Sequence, residues 1–216
     1  IVELPNGNYQ LTVLAQNIQE SNKAIPQKGA YVYANNARKE LSLTGKYTLD
    51  FVVVDNQAKI GVNTIGCTGN KVSIDDFHIY YTGFDDDAQF AEFRQMIQEG
   101  EALLESPQHA DSLAMLAKAV EEAKAVTKTE DIAAKANILR KAITASQVSV
   151  GDYALFLEAI QRSEQVLAEG LPNGNNELKA VIDKANGLYK TAKSTREEID
   201  EISKELSHAE LLYYVA

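Results

Sequence analysis

Five residues within a short stretch carry side chains suited to holding a neutral sugar. Tyr31 and Tyr33 alternate on a predicted strand, and Asn35, Asn36 and Arg38 follow them. An aromatic ring can contact the C–H face of a sugar, while planar amide and guanidinium groups can hydrogen-bond its hydroxyls. This spacing predicts a carbohydrate-binding site. The alternative is that both tyrosines pack inside a β-sandwich.

Asp75 is a second candidate. It belongs to the segment Lys71–Gly83, whose β-branched and aromatic residues predict a strand. Alternation places Asp75 on the same face as Phe77, Ile79 and Tyr81, which we expect to point inward. A buried carboxylate must be hydrogen-bonded or bind a cation, so Asp75 is either a metal ligand or an acceptor of loop N–H bonds.

The acidic run Asp85–Asp87 has a simpler interpretation. It lacks the glycine and the terminal glutamate of an EF-hand calcium loop. It directly precedes a segment with helical periodicity, where a carboxylate can cap free N–H groups and interact favourably with the helix dipole. We therefore predict that this run starts a helix.

The remaining chemistry-bearing residues form no catalytic pattern. His78, His109 and His208 are far apart, and Cys67 has no Cys or His neighbour at metal-ligand spacing. Glycoside hydrolysis needs two carboxylates in a cleft, but with 31 acidic residues some pair can always be chosen. The sequence predicts no catalytic site and therefore no enzyme activity in this chain.

Composition excludes several classes of partner. The chain has 216 residues and a formal net charge of −10, which argues against binding nucleic acid or an anionic membrane surface. It contains no apolar run of about 18 residues, so the sequence predicts no membrane-spanning segment. Because it starts at Ile1 without Met, we interpret it as a mature, trimmed or truncated product.

The predicted secondary structure that positions these residues changes from strands to helices near residue 85. Before that point, short period-2 segments separated by turns predict five or six antiparallel strands in a β-sandwich. A complete jelly roll needs eight strands, so this is either a smaller sandwich or a jelly roll that lacks its first strands, and we favour the second. The predicted strands are Tyr9–Ala15, Gly29–Arg38, Leu41–Leu43, Lys46–Val54, Lys59–Ile65 and Lys71–Gly83.

After residue 85 the pattern predicts six helices. Breaks are expected near Ser106–Pro107, at Val148–Gly151 and at Gly170–Gly174, and capping boxes at Thr127–Glu130 and Thr195–Glu198. The helices align as two copies of three, which a duplicated three-helix unit needs in order to bury one face of each helix. The aligned apolar pairs are Phe93 with Phe156, Ile97 with Ile160, Leu104 with Leu167, Ala119 with Ala185, Ile132 with Ile199, Leu139 with Leu206, and Ala142 with Ala209.

The predicted fold class is therefore a two-domain chain, all-β and then all-α. An antiparallel, jelly-roll-like β-sandwich is followed by two three-helix bundle repeats. The expected bounds are 1–84, 85–150 and 151–216.

The first half resembles the C-terminal part of galactose-binding-like jelly rolls. The likeness rests on the segments Leu4–Leu11, Gly61–Val62 and Ile74–Tyr81. In that family these are carbohydrate-binding sandwiches of secreted and surface polysaccharide-degrading proteins, especially in Bacteroidetes. The resemblance implies an extracellular or cell-surface location, a polysaccharide or oligosaccharide partner and no cofactor. It also allows a structural calcium near the sandwich ends, which would make Asp75 a metal ligand.

The second half is similar to FIVAR modules, which are three-helix repeats of bacterial surface and carbohydrate-active proteins. The segments Ala119–Ala123 and Ile182–Ala185 carry this likeness. It implies that the helices extend the molecule or bind other surface proteins.

We expect a non-catalytic carbohydrate-binding or glycan-handling module of a surface or secreted protein, in the manner of a lipoprotein. Two alternatives remain: a structural spacer or protein-interaction module without sugar affinity, and an accessory part of a glycoside hydrolase.

Overall fold

The chain folds as antiparallel sheets followed by helices. The computed structural model describes residues 1–170, 174–192 and 194–215. Its strands are β1 Val2–Glu3, β2 Gly7–Ile18, β3 Ala30–Ala34, β4 Ala37–Leu41, β5 Gly45–Val53, β6 Gln57–Ala58, β7 Ile60–Asn63 and β8 Lys71–Gly83. Its helices are α1 Asp86–Leu104, α2 Ala110–Lys124, α3 Thr129–Ala168, α4 Asn175–Thr191 and α5 Arg196–Val215. The predicted order of a β part before an α part is confirmed.

Two three-stranded antiparallel sheets share one hydrophobic core. Their strand orders are β5-β2-β8 and β4-β3-β7, and β1 pairs separately with β6. Period-2 alternation turns every second residue of β2 and β3 toward the core. The buried residues on these inner faces are Tyr9, Leu11, Val13 and Ala15 of β2, and Ala30, Val32 and Ala34 of β3.

The turn that precedes β2 is held by side chains. The Tyr9 hydroxyl donates to the Pro5 carbonyl at 2.7 Å. The Asn6 amide donates to the Val54 carbonyl at 3.1 Å and accepts from the Asn56 N–H at 2.8 Å. These three bonds explain why the Pro5–Tyr9 segment forms a fixed entry into the sheet.

The predicted strand Gly29–Arg38 is wrong, because this segment is a hairpin. β3 ends at Ala34, and β4 begins at Ala37 and runs back beside it. Asn35 adopts a left-handed backbone with φ 50°, a conformation that Asn tolerates better than most residues. The tight turn at Asn35-Asn36 therefore places Arg38 directly opposite Tyr33 instead of further along the same strand.

The expectation that Asp75 faces inward is also wrong. Ile74 and Ile79 both pack against the core, although five positions separate them, because a β-bulge lies between them. Asp76 has φ 58° at this bulge, and the register against β2 shifts there. A bulge adds one residue to a strand and so reverses which residues face the core. Asp75 is consequently exposed.

The prediction of six helices is wrong at one break, since the third and fourth predicted helices are one helix. α3 has 40 residues and runs through Val148–Gly151 without interruption. Glycine inside a helix costs only about 1 kcal/mol relative to alanine, so this segment disfavours a helix without forbidding it. Ser149 Oγ also accepts the His109 N–H at 2.6 Å, which ties this stretch to the start of α2.

Two predicted helix starts are confirmed in atomic detail. Asp85 Oδ1 accepts the Ala88 N–H at 2.7 Å ahead of α1. At the start of α5 the Thr195 N–H donates to Glu198 Oε2, and Thr195 Oγ1 accepts the Glu198 N–H, as a capping box requires. The predicted stop at Gly170–Gly174 falls partly on residues 171–173, which lie outside the described residues. Among the described helices, none has both the length and the apolar content needed to cross a lipid bilayer.

The chain divides into two compact units. The first comprises Ile1–Ile97 and Ala125–Asn137, and the second comprises Gln98–Lys124 and Ile138–Ala216. Within the second unit, the C-terminal half of α3 shares a core with α4 and α5. Its main buried residues are Tyr153, Phe156, Ile160, Leu178, Ile182, Ile202 and Leu206. The domain bounds expected from the sequence stay a prediction.

Candidate functional site

Tyr31 and Tyr33 lie on the outer face of β3. Ala30, Val32 and Ala34, which alternate with them, are fully buried in the core between the sheets. Both tyrosines are partly exposed. The alternation of the strand thus directs both rings away from the core and toward the solvent side of the β4-β3-β7 sheet.

The neighbouring strands bring charged and amide groups to the same face. Register places Arg38 of β4 opposite Tyr33, and it places Glu40 of β4 and Asn63 of β7 opposite Tyr31. Residues directly opposite in an antiparallel pair project to one side of the sheet. We call the surface formed by Tyr31, Tyr33, Arg38 and Asn63 the tyrosine face.

Aromatic and cationic groups are in contact on the tyrosine face. The ring centroids of Tyr31 and Tyr33 are 6.3 Å apart and their planes meet at 59°. The Arg38 guanidinium carbon lies 5.9 Å from the Tyr31 centroid. A cation at this distance from an exposed ring contributes about 0.5–1 kcal/mol, which helps to orient both side chains.

Gly61 supports Tyr33 from the adjacent strand. A Cβ atom at position 61 would lie 2.5 Å from the Tyr33 hydroxyl and 2.7 Å from the ring carbon that bears it. The ring can occupy this place only because residue 61 has no side chain. Gly61 was not among the predicted site residues, and its only signal in the sequence is a glycine inside a predicted strand.

Asn35 and Asn36, the other two predicted site residues, are engaged elsewhere. The Asn35 amide donates to the Val52 carbonyl at 2.8 Å and accepts from the Lys59 N–H at 2.9 Å. The Asn36 amide donates to Glu92 Oε1 at 3.0 Å. These bonds give both residues a structural role at the hairpin turn. The structure therefore brings together three of the five predicted residues, namely Tyr31, Tyr33 and Arg38.

The Asn63 amide can hydrogen-bond sugar hydroxyls, which is the role that the sequence predicted for Asn35 and Asn36. Its oxygen accepts the Ile65 N–H at 2.8 Å, which fixes the orientation of the amide. The NH₂ group is a pair of donors that a ligand oxygen could accept from. Glu40 also lies on this face, where its carboxylate accepts the Gly29 N–H at 3.1 Å.

Asp75, the predicted metal ligand, lies on the opposite sheet. Its carboxylate accepts the N–H of the adjacent Asp76 at 2.8 Å. No group of three or more His, Cys, Asp or Glu side chains suited to a metal ion occurs among the residues that the structure describes. The structural calcium allowed by the family resemblance stays a prediction.

One further concavity was not anticipated from the sequence. It measures about 420 Å³ and is lined by residues at or next to β5, β2 and β8, including the outward-facing Leu14, Lys46 and Asp75. Lys46 and Asp75 both pair with Leu14 in register, so a cation and a carboxylate flank an exposed leucine. The sequence did not predict this arrangement, because the bulge reverses the alternation of β8 and turns Asp75 to the outer face.

His78 and His109 each lie beside a carboxylate. His78 Nε2 is 2.6 Å from Asp76 Oδ1 on the exposed side of β8. His109 is buried, and its Nε2 lies 3.2 Å from Asp152 Oδ2. In the described part of the chain, the contacts of both rings within hydrogen-bond distance are to carboxylates.

The fold and the tyrosine face define a class of protein only broadly, as antiparallel sheets followed by helices. No protein-family model matches the chain, and a search of the curated proteins finds no match either.

Proposed function

We propose that this chain is a non-catalytic carbohydrate-binding module of a secreted or cell-surface protein that handles glycans. The observation that carries the proposal is the pair of partly exposed rings, Tyr31 and Tyr33, beside the Arg38 guanidinium. A ring for the C–H face of a sugar and planar donors for its hydroxyls are the groups that such a ligand needs.

The geometry favours contact with one sugar residue at a time. Because the two rings meet at 59°, they do not form a flat platform for two consecutive sugar units. One sugar would contact a single ring, with its hydroxyls near Arg38 and the Asn63 amide. Affinity should be weak, since hydroxyls exchange bonds to water for bonds to protein with little net gain.

The ligand should be an uncharged polysaccharide or oligosaccharide. The net charge of −10 repels polyanionic glycans at long range. Salt weakens that repulsion beyond about 8 Å at physiological ionic strength.

The proposal includes the finer fold assignment. The shared core of the two sheets supports a jelly-roll-like sandwich that lacks its first strands. Both members are buried in six of the aligned apolar pairs, from Phe93 and Phe156 to Ala142 and Ala209, whereas Leu104 and Leu167 are both partly buried. This matched burial supports two three-helix repeats. With these assignments the units would span 1–84, 85–150 and 151–216, and a structural calcium would belong to the sandwich.

Calorimetric titration with neutral oligosaccharides of plant, host and microbial origin tests the proposal. We expect binding by the wild-type chain that Tyr33→Ala weakens by about tenfold, the loss expected for one stacked ring. The matched control is Tyr80→Ala, which removes a half-exposed tyrosine from the other sheet and should leave the affinity unchanged.

Two results would contradict this assignment. If no neutral glycan binds, the chain is not a carbohydrate-binding module. If Tyr31→Ala and Tyr33→Ala together leave binding intact, the function stands and the tyrosine face is not its site.

A structural spacer is the second candidate. The 40 residues of α3 form one helix about 60 Å long, at 1.5 Å per residue. An uninterrupted helix of this length is suited to a spacer that holds other parts of a protein at a fixed separation. The absence of glycan binding in the titration above, together with an intact fold by circular dichroism, would favour the spacer.

A further inference from the structure

The outer edge of β8 is open for pairing. β2 pairs with one side of β8, and within the described residues no strand pairs with the other side. An edge strand presents a row of free N–H and C=O groups, which act as a template for another strand. β8 is 13 residues long, which is unusual for an edge strand left uncovered.

The hydrophobic core is also incompletely covered at this edge. Val72, Ile74 and Ile79 pack against the core but are only partly buried, and Tyr81 is 59% exposed. On β7, the corresponding edge of the other sheet, Ile60 and Val62 are likewise only partly buried. The inner faces of β2 and β3 are buried throughout by comparison.

The opposite edge of the two sheets is closed. β4 lies against β5 there. The Tyr47 hydroxyl of β5 accepts the Ser42 and Leu43 N–H groups, each at 3.0 Å, and donates to the Leu43 carbonyl at 2.8 Å. Ala37, Tyr47 and Leu49 are also only partly buried here, so these contacts between β4 and β5, and not burial, distinguish this edge from the β7–β8 edge.

The bulge shortens the part of β8 that is available for pairing with another strand. Asp76 and Phe77 interrupt the ladder, and bulges disfavour edge pairing where they occur. Beyond the bulge, His78–Tyr81 pairs with β2 in continuous register, and after a second register shift at Thr82 the pairing resumes with Gly83. We call His78–Gly83 the open edge. Its length matches that of a typical strand.

We propose that the open edge binds an extended peptide strand of a partner protein, with apolar residues at every second position and a basic residue near Asp75 and Asp76. The free backbone row requires a partner that is itself an extended backbone. Ile79, Tyr81 and Val62 form an inward-facing row that is incompletely covered, and this row requires apolar side chains at alternate positions. The two exposed carboxylates and the net charge of −10 favour a basic strand.

Selection from a phage-displayed library of random peptides of about 12 residues, long enough to cover the open edge, tests the proposal. We expect enriched peptides to alternate apolar and polar residues and to include Lys or Arg. With the wild-type chain saturated by such a peptide, amide exchange followed by NMR should slow at least about tenfold at alternate residues within His78–Gly83. Only the N–H groups that point away from β2 gain new ladder bonds. Exchange along β5 should not change.

Variants on the same strand provide the control. Ile79→Lys places a charge on the inner face of the open edge, a device that blocks edge pairing, and should abolish peptide binding. Thr82→Lys adds the same charge at an exposed position and should retain it.

Three outcomes would overturn the proposal. They are the absence of any enriched peptide, peptides that protect amides elsewhere than His78–Gly83, and a concentration-dependent dimer of the free chain in which the same amides are protected. The last result would mean that a second copy occupies the edge. All three are independent of glycan binding, since the tyrosine face belongs to the other sheet.

Discussion

Tyr33 keeps its place on the tyrosine face because of a single missing side chain. Gly61→Ala would place a methyl group 2.5 Å from the present position of the Tyr33 hydroxyl. The end of a tyrosine ring can move, so we expect the free energy of unfolding to change by less than about 1 kcal/mol. The ring signals of Tyr33 in NMR spectra should shift, and any glycan affinity should fall. Unchanged Tyr33 signals would contradict this account.

Asn35 illustrates how one residue can be required for two reasons. Asn35→Ala should lower the free energy of unfolding by about 2–4 kcal/mol, for two reasons. It removes two hydrogen bonds, and it puts alanine at φ 50°, a left-handed conformation that alanine tolerates less well than asparagine. Asn35→Gly loses the bonds but accepts the dihedral angle, so it should cost less. Urea unfolding of the two variants measures the difference, and equal losses would exclude a role for the backbone conformation.

At the level of elements, the continuity of α3 through Gly151 has a direct consequence for stability. Gly151 is exposed, and an added Cβ would meet nothing within 4 Å. Gly151→Ala should therefore raise the free energy of unfolding by about 0.5–1 kcal/mol, as expected for a helix interior. Gly187→Ala in α4 offers the matched control with equally open surroundings and should show a similar gain. A loss of stability in Gly151→Ala alone would indicate a bend at this position in solution.

The elements also show where sequence patterns are informative. Helix starts were predictable because Asp85 and the Thr195–Glu198 capping box act locally. The hairpin at Asn35-Asn36 was missed because the turn lacks the glycine that marks the commonest two-residue hairpin turns. The face of Asp75 was wrong because one extra residue in a bulge inverts the alternation, and no residue type in Lys71–Gly83 marks where the extra residue sits.

At the level of the whole molecule, the proposed duplication predicts matched energetics. Ile97 and Ile160 occupy aligned positions and are both buried. Ile97→Ala and Ile160→Ala should each lower the free energy of unfolding by about 2–5 kcal/mol, the range for removing a large aliphatic side chain from a core. Superposition of 90–147 on 153–214 in an experimental structure should place Phe93 over Phe156. Different helix topologies in the two halves would refute the duplication.

The candidate site was only partly accessible to sequence reasoning. Tyr31, Tyr33 and Arg38 were found because their side-chain types suit a sugar. Gly61 and Glu40 were not, since they reach the tyrosine face only through the pairing of β3 with β7 and β4. Pairing between distant segments depends on the whole sheet, and a single sequence does not report it.

The anchored turn before β2 affects how the protein ages. An asparagine followed by glycine loses its amide readily when the next backbone nitrogen attacks the side-chain carbonyl. The chain has three such pairs, and one of them is Asn6-Gly7. Folding holds the Asn6 amide between the Val54 carbonyl and the Asn56 N–H, which opposes the rotation that this attack needs. Asn6 should therefore deamidate slowly in the native protein and quickly in the denatured chain. Conversion to aspartate would place a carboxylate beside the Val54 carbonyl, and the repulsion between them would loosen the start of β2. The turn that slows deamidation in the intact protein would therefore be the part of the fold that deamidation weakens.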